Sequence, residues 1–528
     1  MAVLATLVLH GCTLLSDFDI QQCSESADCD LPEGDIRYCE DARCVPGCAD
    51  NAHCLAFDPR RPLCDHPGGA CVALLDETGT CRVASGYDAR GWGPLSLQDT
   101  NVVGAIASTP RSSTWLSLAL ASTELEQARN SIALQQPPML LVLCDGSTEL
   151  VGPAMAHLLD SLGASSIISA TNTAALKIVL ENAATRSHAV VISPSGSSVS
   201  PSSVDWAGDT LWYLGTDYAD ALPVYEQILP RAVSVAKARA PAPDSIQIAS
   251  IVGPDSEDQS LSDAVRERIQ VDGLNYERLI IQERLLVLRI DSEDEAEPAP
   301  DLQRLLGYAP DLVLLFMGNR EAPSQLDAAS VVVQVEAQTA ALGRAPPLYI
   351  MGPRSVEDVA LQQLITERAS LRSRILGVRS DPEFDSGALS DLRRRFAMVY
   401  PDVALQGRAF GVMPSVYEAL YLLSYGLMAA SGPRVEPSEL LVGFERVTSG
   451  ATGAPIDIGP GPERLGRGVP LLNDGENLGL RGVNGVYQFD ASRHTRLGRP
   501  RLYSIDAAGM SIDMDPAVAF QNASTQPD

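Results

Sequence analysis

The chain has 528 residues, enough for two or more domains that each bury a core. Its 45% hydrophobic and 20% charged content is that of a folded protein. With 39 Lys+Arg against 67 Asp+Glu the net charge is −28, which repels phosphate and so argues against nucleic acid or an anionic lipid surface as the main partner. An apolar run of about eighteen residues, the least that crosses a bilayer, is absent.

The chain opens with MAVLATLVLHGC (1–12), a short apolar run ending in Gly-Cys. Leu9-His10-Gly11-Cys12 resembles a bacterial lipobox, in which a signal peptidase cuts before the cysteine and the thiol is lipid-modified. It departs from that pattern twice: the basic n-region is missing, and His10 is unusual at its position. A start assigned too late explains the first departure. A plain signal peptide and a buried N-terminal strand are the competing readings; lipidation at Cys12, and hence attachment to a membrane through a lipid anchor only, is the expectation.

Ten of the eleven cysteines fall at or before Cys81, and only Cys144 lies beyond. CSESADCDLPEGDIRYCEDARC (23–44) and CADNAHCLAFDPRRPLCDHPGGAC (48–71) form an internal repeat, both with the spacing C-x5-C-x9-C and a fourth cysteine soon after. Cys23, Cys29, Cys39 and Cys44, then Cys48, Cys54, Cys64 and Cys71, allow two bridges per copy. Modules this short bury little and need crosslinks, which places the chain in an oxidising compartment. Zinc is the weaker alternative, since no CxxC pair occurs and His53 and His66 lack ligand spacing. The module reads as a spacer, or less simply as a partner site. Cys81 and Cys144 are left over; they pair with each other, or Cys144 is a buried thiol closing a strand.

After the Gly-rich stretch Gly86 to Pro94 come continuous apolar runs: NVVGAIA (101–107), MLLVLC (139–144), SSIIS (165–169), AVVIS (189–193), IQIASIV (246–252), LVLLFM (312–317) and PLYIM (347–351). Unbroken hydrophobicity suits strands of a parallel sheet buried on both faces. Helical patterns lie between them. Met155, Leu158, Leu159 and Leu162 share one face before Gly163, and Val416, Leu420, Leu423 and Leu427 share another after Pro414. Such alternation over this length predicts two α/β lobes, with Ala240-Pro-Ala-Pro243 a crossing between them. The acidic stretch 291–297 reads as a solvated insertion, and residues beyond about Asp506 as a frayed tail.

In open parallel sheets ligands sit beyond the carboxyl ends of the strands. Those positions read SATNT (169–173), SPSGSS (193–198), GPDSE (253–257), FMGNR (316–320) and MGPRS (351–355). Hydroxyls and the free NH groups of helix starts suit a carboxylate, and Gly196 lets a ligand approach the backbone. Each such loop taken alone is more often a cap or an ST-turn; five at strand ends point to a site.

Five stretches carry a resemblance: LDSLGASSIISATNT (159–173), ISPSGSS (192–198), YIMGP (349–353), PSVYEALYLLSYGL (414–427) and GVNGVYQFDASRH (482–494). Through them the body from about Gly93 to Ser504 resembles the type I periplasmic binding proteins, the branch that includes the leucine/isoleucine/valine-binding proteins. The resemblance implies an α/β fold of two Rossmann-like lobes joined by three crossings, with a ligand trapped between them. With the Cys-rich module outside the resemblance, the expected layout is 1–12 signal peptide with a lipobox-like end, 13–22 linker, 23–81 Cys-rich module, 82–98 linker, 99–240 plus 377–432 first lobe, 241–376 plus 433–505 second lobe and 506–528 polar tail.

The positions that match the family's ligand contacts are Ala170, Thr171, Ser195, Gly196 and Ser197. The second lobe departs from the pattern. Arg354 stands where the amino-acid binders place a glutamate after Met-Gly-Pro, and PDSEDQS (254–260) replaces an Asp-x-x-Tyr-Gly. An arginine facing a bound ammonium is strongly unfavourable in a closed cleft. The expected ligand is therefore not an ordinary α-amino acid but one with a second carboxylate, a polar neutral molecule or a peptide-like fragment. In the alternative, Arg354 points to solvent and Asp255 or Glu257 receives an ammonium.

Six histidines fall in no zinc-hydrolase spacing, and no G-x-S-x-G or P-loop occurs. Neither catalytic residues, a metal nor a cofactor is expected. The resemblance implies a periplasmic or cell-surface solute-binding protein that serves an ABC-type permease. A surface sensor with a degenerate cleft, its Cys-rich module meeting a partner protein, is the alternative.

Overall fold

The structure is a computed structural model. It describes residues 23–24, 26–29, 37–49, 51–57, 63–64, 69–73, 80–83, 100–107, 113–132, 139–171, 173–194, 210–216, 218–240, 242, 246–253, 256–290, 300–317, 327–356, 359–381, 386–401, 414–430, 432, 434–448, 455–490, 494–507 and 511–523. Cys12 and the acidic stretch 291–297 lie outside these. No helix among the described residues is long and apolar enough to cross a membrane.

Two seven-stranded sheets carry the body. The first is built from β1 (Cys81–Val83), β2 (Asn101–Ala107), β3 (Met139–Asp145), β4 (Ser166–Ala170), β5 (Val190–Ser193) and β6 (Leu211–Thr216). The helices α1 (Ser113–Ile132), α2 (Thr148–Ala156) and α3 (Thr173–Arg186) connect its strands. The second sheet follows α4 (Leu222–Arg239) and contains β7 (Ile248–Val252), α5 (Ser256–Arg266), β8 (Leu285–Arg289), β9 (Leu312–Phe316), β10 (Leu348–Met351) and β11 (Ile375–Asp381). The chain then adds α6 (Ser386–Val399), α7 (Pro414–Ala430) and α8 (Pro437–Thr448) to the first lobe. It continues through the hairpin β12 (Leu480–Gly482) and β13 (Gly485–Val486), then β14 (Thr495–Arg496), and ends with β15 (Arg499–Ile505) and β16 (Ser511–Met514). The strand orders are β14-β6-β5-β4-β2-β3-β1 and β8-β7-β9-β10-β11-β15-β16.

The continuous apolar runs have the expected cause. Val103, Ala105 and Ala107 face one core with α1 and α7, whereas Val102 and Ile106 face a second core with α2 and α3. In the other lobe Leu312, Leu314 and Phe316 face α4, whereas Val313 and Leu315 face the opposite layer. Each central strand is dry on both faces, so alternation is absent.

All three crossings join carboxyl ends. The first leaves β6 at Thr216 and enters α4 through the turn Tyr218–Ala221. The second leaves β11 at Asp381 and enters α6. The third leaves β14, which runs parallel to β6, and enters β15 at Arg499, the antiparallel partner of Asp381. Leu497 and Gly498 span at most about 10 Å, so the carboxyl ends of β14 and β11 must be close. Residues of β6 and β11 indeed approach within 8 Å between Cα atoms.

Several sequence-based expectations change. Ala240–Pro243 is not a crossing: α4 already packs in the second lobe's core through Val224, Tyr225 and Ile228, and the segment links it to β7 within that lobe. The stretch from Val435 to Tyr487, placed in the second lobe by its position along the chain, packs instead on the first through Leu440, Phe444, Ile458 and Leu480. Residues 511–523 are not frayed. β16 pairs with β15, and Phe520, 3% exposed, enters the second lobe's core beside α4.

The repeats carry matching bridges, Cys23–Cys39 with Cys29–Cys44, and Cys48–Cys64 with Cys54–Cys71. Cys144 is not a free thiol. β1 lies antiparallel to β3 with Cys81 directly opposite Cys144, and the two are bonded. Leu63 is buried in the same core as α2, and Val72 and Val83 pack against it. The second repeat is therefore fastened to the first lobe, and residues 82–83 belong to its sheet rather than to a linker. Replacing both Cys81 and Cys144 by alanine should lower the unfolding free energy of that lobe by about 2–4 kcal/mol, measured by urea denaturation. An unchanged midpoint would mean that the bridge closes no loop that matters.

Candidate functional site

The carboxyl edges of the two sheets hold the candidate site, because the crossings turn both edges toward the same space. In the first lobe Ala170 ends β4, and Thr171 follows before α3 begins at Thr173. Both are partly buried. The Thr171 hydroxyl shares a hydrogen bond of 2.9 Å with the buried Ser169 hydroxyl, which fixes its orientation at the strand end. β5 ends at Ser193, and Pro194 after it is buried. Ser195, Gly196 and Ser197 follow directly but lie outside the described residues.

On the facing lobe, three strand ends converge. The Gly253 amide donates to the Phe316 carbonyl (2.7 Å) and the Gly352 amide to the Leu315 carbonyl (2.8 Å), so the turns after β7 and β10 are tied to β9. Gly352 permits this approach: a Cβ there would lie 2.9 Å from the Phe316 ring. The helix Pro353–Val356 starts at once, and its Ser355, fully buried, acts as a latch. Its hydroxyl donates to the Leu315 carbonyl at 2.8 Å and accepts from the Met317 amide at 3.1 Å. This latch positions the backbone of Arg354 at the carboxyl edge; its side chain lies outside the described residues. Asp255 does too, as does the Glu257 side chain, although α5 places the Glu257 backbone on the same edge.

Beneath that wall sit Asp258, 4% exposed, and Tyr225, fully buried. Asp258 Oδ2 would lie 3.1 Å from a Cβ on Gly253. The Tyr225 hydroxyl donates to the Met351 carbonyl at 3.4 Å. Burial, and secondarily the Asp258 charge, push its pKa far up, so it stays a neutral donor.

Sequence reasoning missed the polar groups under the first lobe's wall. Glu124, 4% exposed, accepts from the hydroxyls of Tyr417 and Tyr421 and meets Arg395 at 3.4 Å. Glu418 and Arg496, 1% and 0% exposed, form a buried ion pair at 3.1 Å. Burial pushes the Glu418 carboxyl above its usual range, with Arg496 opposing. A signal was present: Glu418 is the only acid in the otherwise apolar stretch from Pro414 to Ala430. Such a residue must have a partner.

No family model matches the sequence, and no curated protein matches it. Solved structures do. A candidate leucine/isoleucine/valine-binding protein from Rhodopirellula baltica matches at 15% identity, covering 81% of this chain and 99% of its own, with a TM-score of 0.51. A protein described as a branched-chain amino acid ABC transporter from Silicibacter pomeroyi matches at 15% identity, covering 80% of this chain and 97% of its own, with a TM-score of 0.50. At this identity the likeness is one of fold: the chain has the type I periplasmic-binding-protein fold, extended by a disulfide-bonded N-terminal region.

Substituting Ser355→Ala removes the acceptor of the Met317 amide, while the Leu315 carbonyl keeps the Gly352 amide, at a cost of about 1–3 kcal/mol. Urea unfolding should report that loss, and any ligand contacting the Pro353–Val356 helix should bind more weakly. Full stability in the variant would show that the latch holds nothing.

Proposed function

We propose that the chain is an extracytoplasmic, lipid-anchored solute-binding protein that holds a small carboxylate-bearing ligand between its lobes for an ABC-type permease. The observation that carries this reading is the set of crossings at carboxyl ends, which turns both loop-bearing edges toward one gap. Thr171 with Ser195, Gly196 and Ser197 supplies neutral donors for one carboxylate, as the hydroxyl and backbone NH chemistry of these loops favours. Arg354 on the facing wall takes a second carboxylate or another acceptor group. Five disulfides join ten cysteines among the described residues, which suits an oxidising compartment such as the periplasm or the cell surface.

Function follows from binding energetics rather than bond chemistry. An open form touches the ligand on one wall; a closed form touches it on both, so the ligand shifts the population toward closure by that difference in contact. The net charge of −28 argues that ligand charge is matched locally, at the strand-end donors and Arg354, rather than by a general field.

Isothermal calorimetry with leucine, glutamate and a dicarboxylate series tests the ligand class. A ligand with a second carboxylate should bind tightest, and Arg354→Ala should weaken it by roughly tenfold or more. Leucine bound tightest would overturn the assignment. Lipid attachment is tested separately by labelled palmitate in a bacterial host: incorporation should vanish in Cys12→Ser, and labelling that survives the substitution would contradict the anchor.

A further inference from the structure

The third crossing leaves the first lobe immediately after Arg496, which is 0% exposed. Each of its three guanidinium nitrogens donates a hydrogen bond. Nη1 donates to Glu418 Oε2 at 3.1 Å, Nη2 to the Gly485 carbonyl at 2.7 Å and Nε to the Val486 carbonyl at 3.2 Å. Its flat face lies 4.3 Å over the Tyr487 ring. Glu418 in turn accepts from the Asn484 amide at 2.7 Å, and the Asn484 side chain donates to Ser415 at the start of α7. Gly482 has no room for a side chain, since a Cβ would lie 2.1 Å from Glu418 Oε1. One buried ion pair therefore ties together α7, the β12–β13 hairpin and β14.

The same residue reaches a second crossing. Arg496 is the register partner of Thr216, the last residue of β6 and the point where the first crossing departs. On its other side Arg496 bridges to Phe489, and the next amide, that of Leu497, donates to the Gln488 carbonyl at 2.7 Å. Two positions later Arg499 is already paired with Asp381 in the second lobe. Backbone held on both sides leaves little chain in which a rotation can occur.

We infer that the buried Glu418–Arg496 pair is the first lobe's anchor for the hinge, confining rotation on the third crossing to Leu497–Gly498. A planar donor fork suits this task better than an ammonium: it fixes direction as well as charge, holding two carbonyls and a carboxylate at once. Burial strengthens the demand, because a guanidinium without water must keep all its partners or move as a unit with them. Glu418 and Arg496 are thus positioning residues. They set where closure pivots rather than touching a ligand, and the inference goes beyond the binding reading without depending on which ligand is held.

The test uses the full chain without ligand. Spin labels on the exposed Glu181 and Glu367 positions report the distance between lobes, and labels on Glu181 and the exposed Glu445 position report distance within the first lobe. Arg496→Lys keeps the charge and loses the fork; Glu418→Gln keeps the shape and loses the charge. Both variants should broaden the inter-lobe distribution, by about twofold in width, while the pair within the first lobe keeps its wild-type distribution. The wild-type chain supplies a readout that needs no variant: the amides of Thr495 and Arg496 should exchange slowly and that of Gly498 quickly. An inter-lobe distribution unchanged in folded variants whose melting temperature has fallen would overturn the inference, leaving the pair a stabiliser only. Rapid exchange at Thr495 and Arg496 would overturn it as well. A failure of the ligand reading would appear elsewhere, as absence of binding with these motions intact.

Discussion

The arrangement depends on one constraint: every covalent connection between the two sheets joins carboxyl ends. Parallel strands have their following loops and the exposed NH groups of helix starts on one edge. A link of two residues between β14 and β15 brings such an edge of one sheet to within about 10 Å of the other. That link turns the two carboxyl edges toward each other, and the proposed ligand gap and pivot rest on it. Nothing comparable ties the amino-terminal edges, so any loop that serves a shared ligand must stand at a carboxyl end.

Much of this was legible in the sequence because dry strands have an unmistakable signature. β9 and β10 are apolar throughout, and β2 and β3 are so apart from Asn101 and Asp145 at their ends, because both faces are covered. Helix α7 begins at Pro414, where a proline at the first position predicts a start. What escaped were elements stabilised by context. β15 reads RPRLYSI and pairs antiparallel near the edge of its sheet, where polar residues are tolerated. β16 is a four-residue edge strand, and the burial of Ala519 and Phe520 beyond it, with the Arg231 guanidinium donating to the Ala519 carbonyl, helps explain why the terminal segment is folded. Chain position alone misassigned Val435 to Tyr487, because membership of a lobe is decided by which core takes the side chains.

The candidate site was legible in a similar, partial way. Strand-end loops announced the wall of the first lobe, and the placement of Ala170 and Thr171 follows from where β4 ends. The Ser355 latch was not legible, since a serine that satisfies a carbonyl and an amide from another strand looks like any loop serine in the sequence. The Glu418–Arg496 pair joins residues 78 apart, so only half of it, an acid in an apolar helix, could be noticed beforehand. The Cys81–Cys144 bridge is similar: the repeat pattern excluded both cysteines from its own pairing, but their partnership is a matter of strand register.

Cross-linking tests the central geometry most directly. Cysteines placed at Thr171 and Arg354, on the two carboxyl edges, should be joined by a short bifunctional thiol reagent, and the joined protein should be locked against lobe motion. A control pair at the exposed His188 and Leu342 positions, which precede β5 and β10 at the amino-terminal edges, should remain unjoined. Linkage of the control pair in place of the first would contradict the account, because the two sheets would then face each other through the wrong ends.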